Sequence, residues 1–271
     1  MRPATRPSIR PERLPPTAPQ PENVCGSGHA NAGGTAGAGR VAPVEGPEQA
    51  ASPGRGRLGL ILGSAVGDLP SLAARDGADV VVRVRHGDGV PAHLVDHAAN
   101  CAALVDAGCD RVLALHSVGS LRADWPVGTV AAPDDFFAPW ATPTTFDDVR
   151  GHRIPGVDAT WHDAVVAAWQ ASTDHPIVTG GVYAQTTGPR FETRAEIRFL
   201  ATVADVVGMT LASECTIAGE LGLAYASISV VDNLANGIAA TPLTMDEYAA
   251  GVAANRTLLA DALPRLVTAL T

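Results

Sequence analysis

The sequence predicts an α/β fold: a single domain with a mixed, mostly parallel central sheet flanked by helices. Short apolar runs alternate with longer segments whose apolar residues repeat at helical spacing, which indicates alternating strands and helices. Runs such as Leu58–Leu62 and Tyr225–Val231 are almost wholly apolar, as is typical of parallel strands buried on both faces. Several of these runs end in small or polar residues, at the edge where open α/β sheets bind ligands.

The first 57 residues differ in composition from the rest of the chain. Residues 1–57 are rich in Pro, Gly and Ala and lack sustained apolar periodicity, so they cannot bury enough surface to offset the entropy of ordering. We predict a disordered tail over 1–57 and one folded domain over 58–271.

The predicted domain is acidic. It holds 12 arginines against 24 acidic residues, whereas the tail holds 7 against 4, and the whole chain has a formal charge of −9. An acidic body without a basic stripe argues against nucleic acid as a partner. No apolar run is long enough to predict a membrane span, and we expect a cytoplasmic protein.

The absence of lysine excludes several kinds of chemistry. Schiff-base catalysis, covalent pyridoxal phosphate and the phosphate-binding lysine of a P-loop all require that residue, and the chain has none. The four cysteines form no CxxC pair and no metal-ligand spacing with the histidines, so we interpret them as buried thiols. They are Cys25, Cys101, Cys109 and Cys215.

The first two predicted strands end in residues suited to an anion. Leu58–Leu62 runs into Gly63–Ala65, a small-residue turn of the kind that presents N–H groups and a hydroxyl to phosphate. Asp79–Val84 ends at Arg85 and His86, two potential cations beside a glycine in an acidic protein. These ends favour a local phosphate site.

A pair of histidines follows, at helical spacing. His93 and His97 precede a predicted helix that extends through Val105, and their i, i+4 spacing is that of a metal-binding helix. No Glu lies beside the first His and no third ligand is evident. We interpret the pair as polar contacts near a subunit boundary, not as a zinc site.

The middle of the chain continues the alternation. Arg111–Leu115 is a predicted strand, Trp125–Val130 a turn and strand, and Asp134–Phe136 a solvated loop. A helix begins near Trp161, and Pro176–Gln185 is predicted as one strand.

The remaining elements alternate in the same way. Ala204–Thr210 and Tyr225–Val231 are predicted strands, separated by a helix over Glu214–Leu221. Two helical stretches, Met245–Leu259 and Leu263–Leu270, complete the fold.

The stretch from Gly188 to Glu196 carries the clearest chemical signal. A Gly-Pro turn leads to Phe191 and Glu192 and then to apolar helix positions, which puts both side chains at a loop-to-helix junction. Asn233 follows a buried strand and is expected in a loop at the ligand edge of the sheet. An aromatic face, a carboxylate and an amide can together stack on and hydrogen-bond a flat heterocycle.

From Leu60 to about Leu259 the sequence resembles the trimeric nucleoside phosphorylases, which include purine nucleoside and 5'-methylthioadenosine or methylthioinosine phosphorylases. Several motifs in the same order carry the resemblance: Gly63-Ser64, Arg85-His86-Gly87, His93–Asn100, Gly119-Ser120-Leu121, Gly188–Thr193, Gly208-Met209-Thr210 and Ser229–Asn233. It implies a reaction in which phosphate displaces a purine from C1 of a nucleoside, giving free base and a sugar 1-phosphate. It also implies a homotrimer or homohexamer and no metal or organic cofactor, with inorganic phosphate as co-substrate.

The resemblance also implies residue roles. The phosphate-binding positions are Ser64, Arg85, His86, Ser117 and Thr210. Positions around the nucleoside are His116, Val118, Gly119, Phe191, Glu192, Met209, Asn233, Ala235, Met245 and Tyr248. Of these, Asn233, His86 and Glu192 are the catalytic candidates. A neighbouring subunit is expected to contribute near the sugar, through its own His93 or His97.

The chemistry of the base predicts a 6-oxopurine. Glu192 can accept a hydrogen bond from N1–H of hypoxanthine or guanine, whereas adenine presents a lone pair there. Asn233 and Ala235 stand where methylthioadenosine enzymes place aspartates, so acceptors suited to adenine are missing. Asn233 can donate to N7 as the leaving purine gains negative charge. Met245 and Tyr248 slightly favour an apolar 5' group such as methylthio.

Several positions depart from the resemblance and keep other functions open. His116 stands where Thr or Asn is usual, and Ala65, Ala92 and Ser213 replace a glycine and two prolines. The alternatives are a nucleoside hydrolase on the same fold and a non-catalytic purine-binding protein. A dinucleotide-dependent oxidoreductase is disfavoured, because the turn after Leu62 lacks the full glycine pattern.

Overall fold

The computed structural model describes residues 56–64, 66, 72, 75–241 and 243–271. The predicted tail therefore lies outside the described residues, apart from Gly56 and Arg57. In the described part of the chain, nine strands form one sheet: β1 (Arg57–Leu62), β2 (Val80–Val84), β3 (Cys109–Ser120), β4 (Val130–Ala132), β5 (Asp135–Phe137), β6 (Ile177–Thr179), β7 (Val182–Gln185), β8 (Val206–Gly208) and β9 (Ala224–Leu234). Five α-helices among the described residues accompany it: α1 (His97–Asp106), α2 (Ala159–Ser172), α3 (Arg194–Leu200), α4 (Leu211–Glu220) and α5 (Met245–Leu270).

The long strand β3 is the centre of the sheet. It pairs with β1 and β9 in parallel and, at its last two residues, with β8 in antiparallel orientation. The strand order across the sheet is β5-β7-β8-β3-β9-β4-β6. Strand β1 also pairs with β3, and β2 pairs with the other side of β1. Of the eight described pairings, only β3 with β8 and β4 with β9 are antiparallel, so the prediction of a mixed, mostly parallel sheet is confirmed.

Helices cover both faces of the sheet because its inner strands are apolar on both sides. Leu58, Leu60 and Leu62 of β1 pack in one cluster with Trp169 of α2 and Leu263 of α5. Ile61, which points to the opposite face of β1, packs in a second cluster with apolar side chains of α1 and α4. Burying both faces stabilises the fold by the hydrophobic effect and leaves the strand ends as the place for polar side chains.

Capping side chains explain where four of the helices begin. Asp96 accepts from Ala99 N to start α1, and Asp158 accepts from Trp161 N to start α2, each at 2.8 Å. Thr193 and Thr244 form capping boxes at α3 and α5. Such caps satisfy backbone N–H groups that a helix start leaves unpaired.

Two strand predictions were wrong. Residues 176–185 form two strands instead of one, because Gly180 and Gly181 have positive φ values of 83° and 116° and the halves pair with β4 and β8 respectively. Asp135 and Phe136, predicted within a solvated loop, belong to β5, which pairs with β7. The pairing partner, 47 residues further along the chain, leaves no local signal.

Two helix predictions also needed correction. The stretches predicted as 245–259 and 263–270 are one helix, α5, with Pro264 inside it. Proline removes one helix hydrogen bond, but Leu259, Leu263 and Leu266 on either side of it are buried, and this packing outweighs the loss. The helix predicted to start at Glu214 begins three residues earlier, at Leu211.

Candidate active site

All the predicted site residues line one cavity of about 410 Å³. They are Ser64, Arg85, His86, His116, Ser117, Val118, Gly119, Phe191, Glu192, Met209, Thr210, Asn233, Ala235, Met245 and Tyr248. The ends of β1, β2, β3, β8 and β9, the loop before α3 and the start of α5 supply them. The topology therefore gathers residues that are up to 184 positions apart in sequence, while their individual roles stay predictions.

One side of the cavity is built on an ion pair. Arg85 Nε and Nη2 donate to Glu214 Oε2 and Oε1 at 2.8 and 2.9 Å, and Nη1 donates to the carbonyl oxygen of Leu115 at 2.8 Å. Both side chains are almost fully buried. Burial alone would lower the pKa of Arg85, but Glu214 outweighs it and raises that pKa. The guanidinium is thus held rigidly, with an unused N–H on each Nη atom.

His116 and Thr210 complete what we call the anion cluster: Arg85, His116, Thr210, Glu214 and Tyr225. His116 Nδ1 lies 3.2 Å from Thr210 Oγ1, and Nε2 lies 3.0 Å from the Tyr225 hydroxyl. Tyr225 in turn donates to Glu214 Oε1 at 2.9 Å. These contacts connect the imidazole to the arginine–glutamate pair through a tyrosine that the sequence reasoning did not select.

His86 is the potential cation that follows Arg85 in the sequence. Burial, before any other effect, lowers its pKa, and Nδ1 faces the carbonyl oxygen of Val90 at 2.9 Å. A carbonyl only accepts, so Nδ1 carries the proton and Nε2 has a lone pair. The lowered pKa favours the neutral form of His86, whereas the pKa of Arg85 is raised.

The hydroxyl of Ser117 adjoins a buried carboxylate, Asp232. Asp232 Oδ1 accepts from Asn255 Nδ2 at 2.7 Å, but Oδ2 and Ser117 Oγ, although close, form no hydrogen bond of normal geometry. Burial raises the pKa of Asp232. Two polar atoms without a full complement of partners thus lie directly behind the cavity.

A second group, the base cluster, consists of Thr186, Phe191, Glu192, Asn233 and Asn236. Thr186 Oγ1 donates to Glu192 Oε1 at 2.6 Å, and Asn236 Nδ2 donates to the backbone oxygen of Glu192 at 3.1 Å. The side chain of Glu192 is thereby oriented, with Oε2 left to accept from a ligand. Phe191 and Glu192 lie just before α3, at the predicted loop-to-helix junction.

Asn233 lies within β9, not in the loop predicted after it. The register between β3 and β9 shifts at this point, since Val118 pairs with Val231 and Gly119 with Asn233. Asp232 is therefore the extra residue of a β-bulge, a feature that redirects side chains. It lets Asn233 line the cavity while Asp232 bonds to Asn255 of α5.

Glycines allow close packing around the base cluster. A Cβ at Gly119 would lie 3.3 Å from Asn233 Nδ2, and one at Gly188 would lie 2.6 Å from the sulfur of Met209. Gly188 also has a φ of 60°, which disfavours other residues. The ring of Tyr248 meets that of Phe191 edge-on, with centroids 5.5 Å apart.

Four residues of the two clusters were not predicted from the sequence as site residues. They are Glu214, Tyr225, Thr186 and Asn236. A carboxylate among mostly small and apolar residues is a signal that could have identified Glu214, since buried acids are nearly always paired. Nothing in the local sequence identifies Tyr225 as its partner.

His93 and His97, the pair at metal-binding spacing, lie in different surroundings. His97 Nδ1 lies 3.9 Å from Glu214 Oε2, with the side chain largely buried, whereas His93 is exposed. Within the described residues, no group of three or more His, Cys, Asp or Glu side chains could hold a metal ion.

Among the helices described, none has the length and apolar character needed to cross a membrane.

Comparison with known proteins identifies the family. The model of the phosphorylase superfamily matches residues 67–269. The chain is 41% identical over 165 residues to a probable 6-oxopurine nucleoside phosphorylase of Archaeoglobus fulgidus, covering 60% of this chain and 68% of that protein. It is 40% identical over 181 residues to a probable S-methyl-5'-thioinosine phosphorylase of Methanosarcina acetivorans, covering 65% and 69%.

A solved structure shares the fold. Methylthioadenosine phosphorylase of Schistosoma mansoni, in complex with adenine, superposes with a TM-score of 0.67 over 79% of this chain and 91% of that chain. At 24% identity this likeness concerns the fold alone. The family match, the curated relatives and the shared fold agree with the motifs, and the chain belongs to the phosphorylase superfamily, as its resemblance to nucleoside phosphorylases predicts.

Proposed function

We propose that this protein cleaves 6-oxopurine nucleosides with phosphate, releasing the free base and ribose 1-phosphate. One observation carries the proposal: members of both clusters line the same cavity of about 410 Å³, namely Arg85, His116 and Thr210 of the anion cluster and Phe191, Glu192, Asn233 and Asn236 of the base cluster. Arg85 and Thr210 are suited to phosphate, and Glu192 with Asn233 is suited to a purine. A sugar between them would present C1 to the phosphate while its base is held.

The residues of the base cluster account for leaving-group activation. Asn233 Nδ2 donates to the carbonyl oxygen of Leu234 at 3.0 Å, which leaves its second N–H to donate to purine N7. That bond strengthens as negative charge develops on the departing base, so it lowers the barrier more than it stabilises bound substrate. Glu192 Oε2 accepts from N1–H and holds the ring in place.

The same geometry favours hypoxanthine and guanine over adenine. Adenine would direct a lone pair at the carboxylate of Glu192, leaving both acceptors without a proton. A site built around such a bond discriminates by roughly 10⁴. The names of the curated relatives, which specify 6-oxopurine nucleosides and methylthioinosine, are consistent with this preference. Met245 and Tyr248 at the cavity wall favour a 5'-methylthio group slightly.

A substrate panel tests the proposal. Inosine, guanosine, adenosine and 5'-methylthioinosine are incubated with and without phosphate, and base and sugar phosphate are quantified. We expect release of hypoxanthine only with phosphate, and adenosine cleavage slower by about 10⁴. Equal release without phosphate would identify a nucleoside hydrolase, and tight purine binding without turnover would identify a binding protein. Faster cleavage of adenosine would reverse the base assignment.

Assembly, cofactor use and location are part of the same proposal. We propose a cytoplasmic homotrimer, with a homohexamer as the alternative, that needs no metal or organic cofactor. Sedimentation should give three or six times the chain mass of 27.7 kDa, and activity should survive treatment with EDTA. His97 contacts its own Glu214, so exposed His93 is the better candidate for reaching a neighbouring subunit's sugar site.

A further inference from the structure

The buried imidazole of His116 determines which way the hydroxyl of Thr210 points. Its Nδ1 lies 3.2 Å from Thr210 Oγ1, and its Nε2 lies 3.0 Å from the hydroxyl oxygen of Tyr225. Tyr225 donates its only hydroxyl proton to Glu214 Oε1 at 2.9 Å. The oxygen of Tyr225 can therefore only accept from His116.

This order of donors assigns the tautomer of His116. Nε2 must carry the proton, because the Tyr225 oxygen facing it has already donated its own. Arg85 Nη2, which can only donate, lies 3.4 Å from Nε2, at the long limit of a hydrogen bond. Glu214 Oε1, at 3.7 Å, also faces the Nε2 proton. A neutral ring with Nε2–H has its lone pair on Nδ1.

The surroundings keep the ring neutral. Burial, followed by the charge of Arg85, lowers the pKa of His116 well below its ordinary value. Titratable or charged groups face it from several elements: Arg85 after β2, His86 in the next turn, His97 of α1, Tyr183 of β7, Glu214 of α4 and Tyr225 of β9.

Thr210 must then donate its hydroxyl proton to Nδ1 of His116. Although it is the N-cap of α4, its side chain makes no capping hydrogen bond. Its backbone N–H faces the Tyr183 hydroxyl at 3.4 Å. What Thr210 Oγ1 presents to the cavity is thus lone pairs and no proton.

We propose that His116 makes the anion cluster selective for an oxyanion that carries a proton, such as inorganic phosphate, over one that carries none, such as sulfate. The proposal rests on the proposed function, which places phosphate in this cluster. A P–OH group donates to Thr210 Oγ1 and leaves the bond to His116 intact. Sulfate oxygens only accept, so sulfate either faces the lone pairs of Thr210 or breaks its bond to His116.

Calorimetric titration of the full chain with phosphate and with sulfate at neutral pH tests this selectivity. We expect wild type to bind phosphate more tightly by roughly tenfold or more. His116→Leu should lower the ratio of phosphate to sulfate affinity by raising the affinity for sulfate, because the hydroxyl proton of Thr210 is then free to face the ligand. Thr210→Val should narrow it through a loss in phosphate affinity. Both variants thus lower the phosphate-to-sulfate affinity ratio, one by tighter sulfate binding and the other by weaker phosphate binding.

A matched control separates this effect from loss of packing. His162 is another buried histidine, whose Nε2 faces the oxygen of Ala132 at 3.0 Å and which does not line the cavity. His162→Leu should leave the phosphate-to-sulfate ratio unchanged. Circular dichroism and melting curves establish that each variant is folded.

The outcomes distinguish this proposal from the proposed function. Equal binding of both anions by wild type, or an equal weakening of both in His116→Leu, overturns the role of His116 even if phosphorolysis is observed. If wild type prefers phosphate and His116→Leu loses that preference, the result supports the role of His116, even if no nucleoside in the panel is cleaved.

Discussion

For single residues, the buried pair of Arg85 and Glu214 has the largest consequence. Glu214 compensates the charge of Arg85, so the anion cluster offers directed N–H groups and no large net charge. Binding of phosphate should therefore depend on geometry more than on long-range attraction. The pair also determines which groups donate and which accept in the chain of hydrogen bonds from Glu214 through Tyr225 to His116.

We expect Glu214→Gln to cost about 3 to 5 kcal/mol of unfolding free energy, because it leaves Arg85 buried without its countercharge. Urea denaturation measures the loss, and KM for phosphate should rise in the same variant. The exposed Arg190–Glu196 pair, at 2.8 Å, is the matched control. Glu196→Gln should cost much less, because water screens this pair. Similar losses in the two variants would contradict our description of the buried pair.

Asp232→Asn is expected to stabilise the protein at pH 7 by about 1 to 3 kcal/mol, since it removes a buried charge with an unpaired oxygen. Burial raises the pKa of Asp232 above 3.8, so the folded state binds this proton more tightly than the unfolded chain. The stabilising contribution of the protonated group is complete below pH 3.8 and declines as pH rises through the folded pKa.

The gain from Asp232→Asn should therefore grow as pH rises from acid toward neutral and then level off. Denaturation curves across that range measure it. Asp163→Asn is the control, since that side chain is exposed, and its effect should be small throughout. A gain that shrinks as pH rises would show that Asp232 is not the buried acid described here.

Among the secondary-structure elements, α5 contributes to the site at two places. It brings Met245 and Tyr248 to the cavity wall and Asn255 to Asp232 at the bulge in β9. The approach is possible because Gly251 lies against the backbone of that bulge. A Cβ at Gly251 would lie 1.7 Å from the carbonyl oxygen of Asp232.

Gly251→Ala should force α5 away from β9, lowering the melting temperature and raising KM for nucleoside through Met245 and Tyr248. Overpacking of this kind costs about 1 to 3 kcal/mol. Gly219 in α4 is the control, because a Cβ there meets no atom within 4 Å. Gly219→Ala should stabilise by about 0.5 to 1 kcal/mol. If both alanines stabilise, the close contact of α5 with β9 is not needed.

The molecule as a whole should be stabilised by its ligand. In the proposed function phosphate binds the anion cluster of the folded chain, and the unfolded chain has no such site. A hundredfold excess over Kd adds about 2.7 kcal/mol to stability. Melting curves at rising phosphate concentration should shift upward, and Thr210→Val should reduce the shift. A shift of the same size in that variant would mean that phosphate acts elsewhere on the protein.

Much of this architecture can be predicted from local patterns. The apolar strands Leu58–Leu62 and Tyr225–Val231, the polar residues at strand ends and the Gly188–Glu196 turn indicate an α/β fold with a purine and phosphate site. The short strand β5 escaped prediction because its partner lies far along the chain. Asn233 was expected in a loop because a bulge is a property of two strands and not of one.

The order of residues alone established the fold class and the acidic body, because periodicity and charge are local properties. Through its resemblance to nucleoside phosphorylases it also implied many of the residues that line the cavity. Pairing across the fold decided the rest. Glu214, Tyr225 and Thr210 come together with Arg85 and His116 only when α4, β9, β2 and β3 pack, and burial then sets the charge and tautomer of each group. Hydrogen-bond direction depends on such three-dimensional neighbours, so the neutral histidines and the oriented Thr210 could be recognised only in the folded chain.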